Sequence, residues 1–214
     1  LDTPDHIIQD FYMKNLFQAF RKPKTTSFIT VVSGLPRSGT SMLMKMLEAG
    51  GIPPLTDNLR TADDDNPKGY YEFERVKKMP DGDLSWVEEA PGKAVKVISA
   101  LLEHLPPGYS YRVLFMQRKM EEILASQHKM LVRSGKPTDK VSDEQLAEMY
   151  AKHLGKVKTW VNEQSNFSVL YLDYNGILAD PQTQSSKINH FLDDILDPQK
   201  MAGMVDPDLY RQRK

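Results

Sequence analysis

Gly34, four intervening residues, Gly39 and then Thr40-Ser41 have the spacing of a loop that cradles phosphate, with one departure: Thr40 stands where a lysine usually follows the second glycine. Glycines at those two places let the backbone curl so that successive N–H groups face inward. A helix starting just after the loop adds the partial positive charge of its N-terminus. Thr40 and Ser41 supply hydroxyl donors. Arg37 supplies a full charge and a planar fork of donors that matches phosphate or sulfate oxygens. The chemistry open to such a loop is recognition of an anionic group on a nucleotide.

Such a loop works only if a strand and a helix hold it. Residues 28–32 are a β-branched and aromatic run ending at glycine, which predicts a buried strand. Met42, Leu43, Met46 and Leu47 recur at helical spacing over residues 40–49, and Gly50-Gly51 closes that helix. Further strands are expected over 93–98, 111–116 and 169–172, with helices over 99–105, 120–131 and 182–192. Ser142-Asp143-Glu144-Gln145 fits a capping box, opening a helix whose apolar stripe runs from Leu146 to Val161. An amphipathic helix is expected over residues 7–20. Residues 52–92 are polar and rich in Pro, Gly and Asp, and predict a long excursion over one end of the sheet with a short helix within it. Residues 133–143 predict a charged connection.

Strand and helix alternate, so the expected fold is α/β: a central parallel sheet flanked by helices on both faces, a P-loop NTPase-like three-layer sandwich. Ligands of such sheets sit beyond the C-terminal strand ends. The glycine loop, the residues after Met116 and those after Leu172 should converge there.

The 214 residues suit one domain spanning 1–214, with 1–27 as an N-terminal helix and lead-in. A net charge of −1 creates no global field for nucleic acid or an anionic membrane, so an anion site must be local. The absence of cysteine excludes disulfides, thiolate zinc sites and cysteine nucleophiles. No apolar run approaches the roughly 20 residues that span a bilayer. Residues 1–6 lack the basic start and apolar stretch of a signal peptide, but a chain that begins with Leu1 could have lost a targeting segment, so a cytoplasmic location is a default expectation and not a deduction.

The lysine that neutralises a β/γ-phosphate pair is missing, which counts against ordinary ATP hydrolysis or phosphoryl transfer. A 5′-phosphosulfate, with less negative charge on its terminal group, fits better and needs no Mg²⁺. Here Pro36-Arg37-Ser38-Gly39-Thr40-Ser41 resembles the 5′-phosphosulfate loop of the sulfotransferase family, in the branch that carries arginine. Val113-Leu114-Phe115-Met116-Gln117-Arg118, with Ser126 eight residues on, resembles the family's 3′-phosphate site, although Met120 stands where the family usually has proline. Val169-Leu170-Tyr171-Leu172-Asp173-Tyr174, followed by Leu178, Asp180-Pro181 and Phe191-Leu192, is similar to its late strand, loop and helix.

The resemblance implies transfer of a sulfuryl group from 3′-phosphoadenosine-5′-phosphosulfate (PAPS) to an acceptor hydroxyl or amine, leaving 3′,5′-adenosine bisphosphate (PAP) and using no metal. Pro36, Arg37, Ser38, Gly39, Thr40 and Ser41 would hold the phosphosulfate, and Arg118 and Ser126 the 3′-phosphate. Residues 52–92 and 133–143 would line the acceptor site. The implied partners are a nucleotide co-substrate and an acceptor, with neither nucleic acid nor a membrane span.

A base must remove the acceptor proton. Asn66-Pro67-Lys68-Gly69-Tyr70-Tyr71-Glu72 resembles a segment of bacterial sulfotransferases and makes Glu72 the first candidate and Glu74 the second; the alternative is that both begin a solvated helix. Lys96, at a predicted strand end, either contacts the sulfate or snorkels from the sheet rim. His128 and Asp63-Asp64-Asp65 are expected to be solvated. The family's glycine-containing adenine loop is not visible in the tail, where Arg211 and Arg213 are the basic candidates of that kind; the alternative is that both are solvated. Two other functions remain open on the sequence: a P-loop nucleotide kinase or hydrolase, and a non-catalytic nucleotide-binding domain.

Overall fold

The computed structural model describes residues 28–57, 71–135, 137 and 141–206. The expected helix over 7–20, the acidic triplet 63–65, the turn 66–70 and the tail arginines Arg211 and Arg213 lie outside the described residues.

Four strands, β1 (Phe28–Gly34), β2 (Ala94–Lys96), β3 (Ser110–Gln117) and β4 (Phe167–Asp173), form one sheet in the order β2-β1-β3-β4. Every neighbouring pair is parallel. The helices are α1 (Thr40–Gly50), α2 (Met120–Arg133), α3 (Asp143–Glu163), α4 (Tyr174–Ala179), α5 (Pro181–Phe191) and α6 (Pro198–Ala202). This is the α/β sandwich that the alternation predicts.

β1 is buried along its whole length, as an inner strand covered on both faces must be. Alternate residues feed two cores. Phe28 and Val32 join Leu114, Met116 and Leu172 on the face covered by Leu43, Met46 and Leu47 of α1, Ile188 of α5 and Met201 of α6. Ile29 and Val31 join Val95, Val113 and Phe115 on the other face, beneath Trp86, Leu102 and Val161. β2 lies on one side of β1 and β3 on the other. The chain therefore reverses direction at the crevice between β1 and β3, the place where open α/β sheets bind ligands.

Several ends are set by local chemistry. Gly51 closes α1 in a left-handed conformation (φ 114°), its N–H reaching the Leu47 and Glu48 carbonyls. At α3 the capping box is complete: the Ser142 hydroxyl accepts from Gln145 N–H at 3.3 Å, and Gln145 Oε1 accepts from Ser142 N–H at 3.2 Å. Asp180 and Asp197 cap α5 and α6, with Pro181 and Pro198 opening those helices.

The structure departs from expectation in two places. The strand expected over 93–98 shortens to Ala94–Lys96; beyond it Val97 N–H still reaches the Val32 carbonyl before the chain turns into a 3-10 segment, Ser99–His104. Residues 71–92 hold more structure than the one short helix expected within the excursion. They form 3-10 segments Glu74–Asp81 and Ser85–Glu89, which bury Val76, Met79, Trp86 and Val87. The apolar residues there are few but large, and the tight three-residue repeat puts Val76 and Met79 on one side.

Candidate functional site

β1 ends at Gly34 with φ 146°, and a side chain there would meet the Met116 carbonyl oxygen and Ser38 Oγ, each at 2.7 Å. Gly39 has φ 102°, and a Cβ on it would lie 2.4 Å from the Tyr174 ring. Both positions thus require glycine, for conformation and for space. Between them the chain turns on a hydrogen bond from Ser38 N–H to the Leu35 carbonyl at 3.2 Å. Arg37 takes a left-handed conformation (φ 69°), which costs a non-glycine residue on the order of 1 kcal/mol and marks a position fixed by its surroundings.

α1 begins at Thr40 with neither a side-chain cap nor an acidic residue in its first turn. An anion is therefore a chemically suitable partner for its leading N–H groups. Thr40 is buried and Ser41 partly so. Ser41 Oγ accepts from Lys96 Nζ at 3.2 Å, which brings the last residue of β2 to the start of α1. Ser38 behaves differently from its neighbours. Its amide is engaged in the turn, and its hydroxyl is buried with no hydrogen-bond partner among the described residues.

Two segments distant in sequence close on this loop. Arg37 Nε donates to Ser126 Oγ of α2 at 2.9 Å. Arg118, one residue beyond β3, donates from Nη1 to the Arg37 carbonyl at 3.1 Å. The expected convergence of the glycine loop, the end of β3 and the end of β4 is what the geometry shows, since Tyr174 follows β4 directly and holds its ring 4.4 Å from the Arg118 guanidinium carbon. Three residues that the sequence did not single out complete the cluster. Glu122 Oε2 accepts from Arg118 Nε at 2.8 Å, Glu122 Oε1 accepts from Asn175 Nδ2 at 3.0 Å, and Tyr174 lies under the guanidinium. The four-residue interval from Arg118 to Glu122 at a helix start was the available signal.

Glu72 is set on the sheet edge. Leu55 N–H reaches the Ala94 carbonyl and Pro54 bridges Ala94 in parallel, so Thr56 stands about level with Lys96. The Thr56 hydroxyl donates to the Glu72 carbonyl at 2.8 Å. Lys77 Nζ lies 3.1 Å from Glu72 Oε2 and 2.6 Å from Glu74 Oε1. Chiefly the Glu74 hydrogen bond, against partial burial and with Glu72 adding, raises the Lys77 ammonium above its ordinary value. Next to Glu72, burial first and then the Glu48 carboxylate push the Tyr71 hydroxyl well above the usual phenol range; it donates to Glu48 Oε2 at 2.6 Å.

His128 is exposed on α2. A cavity of about 270 Å³ between Ser99–His104 and α3 holds a Ser99–His153 hydrogen bond of 2.8 Å. The cavity shares Leu102, Val157 and Trp160 with the core on the sheet face opposite α1, and none of its lining residues belongs to the glycine loop. Among the described residues no group of three or more His, Cys, Asp or Glu could hold a metal ion, and no helix is long and apolar enough to cross a membrane.

No family model matches the chain, and no curated protein matches it in sequence. Solved structures do. The sulfotransferase STF1 from Mycobacterium tuberculosis H37Rv superposes with a TM-score of 0.50 at 15% identity, covering 90% of this chain and 76% of that one. The sulfotransferase domain from the curacin biosynthetic pathway gives 0.48 at 14% identity over 86% and 84%. Mouse sulfotransferase SULT7A1 complexed with PAP gives 0.48 at 18% identity over 83% and 62%. What the chain shares with the mycobacterial enzyme at this identity is the sulfotransferase fold.

Proposed function

We propose that this chain, which has the sulfotransferase fold, transfers a sulfuryl group from PAPS to an acceptor hydroxyl or amine. The observation that supports this most is the meeting of two anion-binding elements: the Arg37 loop at the head of α1, and the Arg118–Ser126 pair at the head of α2, joined by hydrogen bonds of 2.9 and 3.1 Å. A donor with charge at both its 5′ and 3′ positions matches two such elements side by side.

The residues present fit that donor. Gly34 and Gly39 let the loop close against Met116, Ser38 and Tyr174 where any Cβ would clash, and the α1 N-terminus carries no competing side-chain cap. Thr40, Ser41 and the α1 N-terminus hold the 5′-phosphate, with Pro36 and Gly39 setting the loop's path. Arg37 and Lys96 lie against the transferring sulfuryl oxygens, and Arg118 and Ser126 hold the 3′-phosphate. Transfer is in line: the acceptor oxygen or nitrogen forms a bond to sulfur as the bond from sulfur to the 5′-phosphate oxygen breaks, and PAP departs. Little covalent work falls to the protein, so positioning and charge stabilisation dominate. Arg37 and Lys96 offset charge growing on the leaving phosphate. Glu72 takes the acceptor proton, with Glu74 as the second candidate. The acceptor enters over residues 52–92 and 133–143, the donor is drawn from the cytoplasm, and no metal takes part.

Calorimetry with PAP and with ATP–Mg²⁺, followed by transfer from labelled donor to a pool of hydroxylated and amine acceptors, tests the proposal. Binding of PAP with label transfer is expected. Binding of ATP–Mg²⁺ but not PAP would reject it in favour of a kinase or hydrolase.

A further inference from the structure

We propose that Glu122 is a positioning residue for Arg118, holding the guanidinium in the orientation that meets the donor's 3′-phosphate; this presupposes the donor assigned above. The Glu122 side chain is 1% exposed and that of Arg118 8%, so solvent screens the pair little. Each carboxylate oxygen has its own donor: Arg118 Nε at 2.8 Å and Asn175 Nδ2 at 3.0 Å. Asn175 comes from α4, as does Tyr174, whose ring lies against the guanidinium.

The Arg118 head is thus gripped by α2 at Nε, by α4 on its face, and by the glycine loop at Nη1. A guanidinium is a rigid planar fork, so fixing the Nε direction and the stacking plane fixes where its remaining edge points. Stability alone gives little reason for such a pair. A buried ion pair is often no more stable than an apolar pair of equal volume, whereas a charged fork held rigid beside a second anion-binding loop has a use in recognition. Tyr174 links the same clamp to Gly39, where a Cβ would strike its ring.

Titration of the unaltered chain with PAP and with AMP, which lacks the 3′-phosphate, sets the baseline. If PAP binds no tighter than AMP, the donor assignment fails and the role of Glu122 fails with it. Where PAP is preferred, Glu122→Ala should weaken PAP binding about tenfold or more and change AMP binding less than about twofold. Glu122→Gln keeps an oxygen for the Arg118 N–H and should recover most of the loss. In an Arg118→Met background, Glu122→Ala should leave the PAP preference where Arg118→Met alone puts it. Equal weakening of PAP and AMP by Glu122→Ala, or an unchanged preference, overturns the role. Should that variant fail to fold, Asn175→Ala, which removes one anchor and leaves the ion pair, is read by the same ratio. A fall of about threefold in the preference is expected, and none overturns the role.

Discussion

Arg37 Nε lies 2.9 Å from Ser126 Oγ, although 89 positions separate them in sequence. The parallel register of β1 with β3, which pairs Gly34 with Met116, makes this possible. It brings the loop after β1 and the turn after β3 out of the sheet side by side. Arg37 thereby links the two loops, offering its side chain to Ser126 and its carbonyl to Arg118.

Arg37→Ala should accordingly lose donor binding. A charge-assisted contact contributes roughly 1.5–3 kcal/mol, which corresponds to PAP affinity falling on the order of tenfold to a hundredfold. Arg37→Lys retains charge without the fork and should fall between. Calorimetry with PAP reads both through the 5′-phosphate that PAP retains, and an Arg37→Ala affinity within twofold of the original would remove Arg37 from that phosphate and leave it the sulfuryl oxygens alone.

Gly39→Ala should destabilise the fold as well as the site. The new methyl would sit 2.4 Å from the Tyr174 ring, at a φ of 102° that side chains rarely adopt. Together, strain and overpacking cost on the order of 2–4 kcal/mol. For a domain of this size, that lowers Tm by roughly 4–16 °C. Tyr174→Leu in the same chain relieves the clash and leaves the backbone strain, so it should recover only part of the loss in a thermal melt. A Gly39→Ala melt equal to the original would mean that the loop is not packed as described.

β1 was legible because it is a β-branched run ending at glycine and buried on both faces, whereas β3 and β4 were legible as short apolar runs, residues 113–116 and 169–172, that give way to polar or charged residues. The cradle was legible for a related reason: Gly34 and Gly39 answer a backbone requirement that can be read one residue at a time. What stayed hidden were contacts that only the fold creates. Glu122 reads in sequence as one of two adjacent glutamates at a helix start, set apart from Glu121 only by its four-residue interval from Arg118, and the approach of Asn175 after β4 was hidden. Tyr174 reads as a strand's last aromatic until its ring is found between Gly39 and Arg118. Residues 71–92 were legible only in part, because a segment with much Pro, Gly and Asp beyond one short helix still anchors itself with Trp86, whose Nε1 donates to the Asp83 carbonyl at 3.1 Å.

Asp180 and Asp197 should make stability depend on acid. Backbone N–H donors, from Thr183 for Asp180 and chiefly from Lys200 for Asp197, hold both carboxylates below the ordinary value of 3.8. Lowered carboxylates add stability that is complete above the unfolded value and is lost as pH falls through the folded one. Asparagine caps helices nearly as well but does not titrate there. The double variant Asp180→Asn, Asp197→Asn should therefore match the original closely in urea midpoint near neutrality and lose less between pH 5 and pH 3. Parallel loss in both proteins would show that these caps carry no linkage.

The assignment of the base to Glu72 makes the most demanding prediction, since binding and turnover should separate. The Thr56 hydroxyl fixes the Glu72 backbone carbonyl, and that contact does not involve its carboxylate. Glu72→Gln should thus leave the backbone in place and PAP affinity within about twofold, because a proton acceptor touches the acceptor substrate and not the donor. The rate of sulfuryl transfer should fall by roughly 10²–10⁴, the usual contribution of a positioned base. Glu74→Gln serves as the comparison, for it also loses a carboxylate beside Lys77, the shared cation 2.6 Å away, and controls for that change in charge. A slow Glu72→Gln beside a fast Glu74→Gln assigns the proton to Glu72. The reverse moves it to Glu74, and two fast variants would place the base outside this segment.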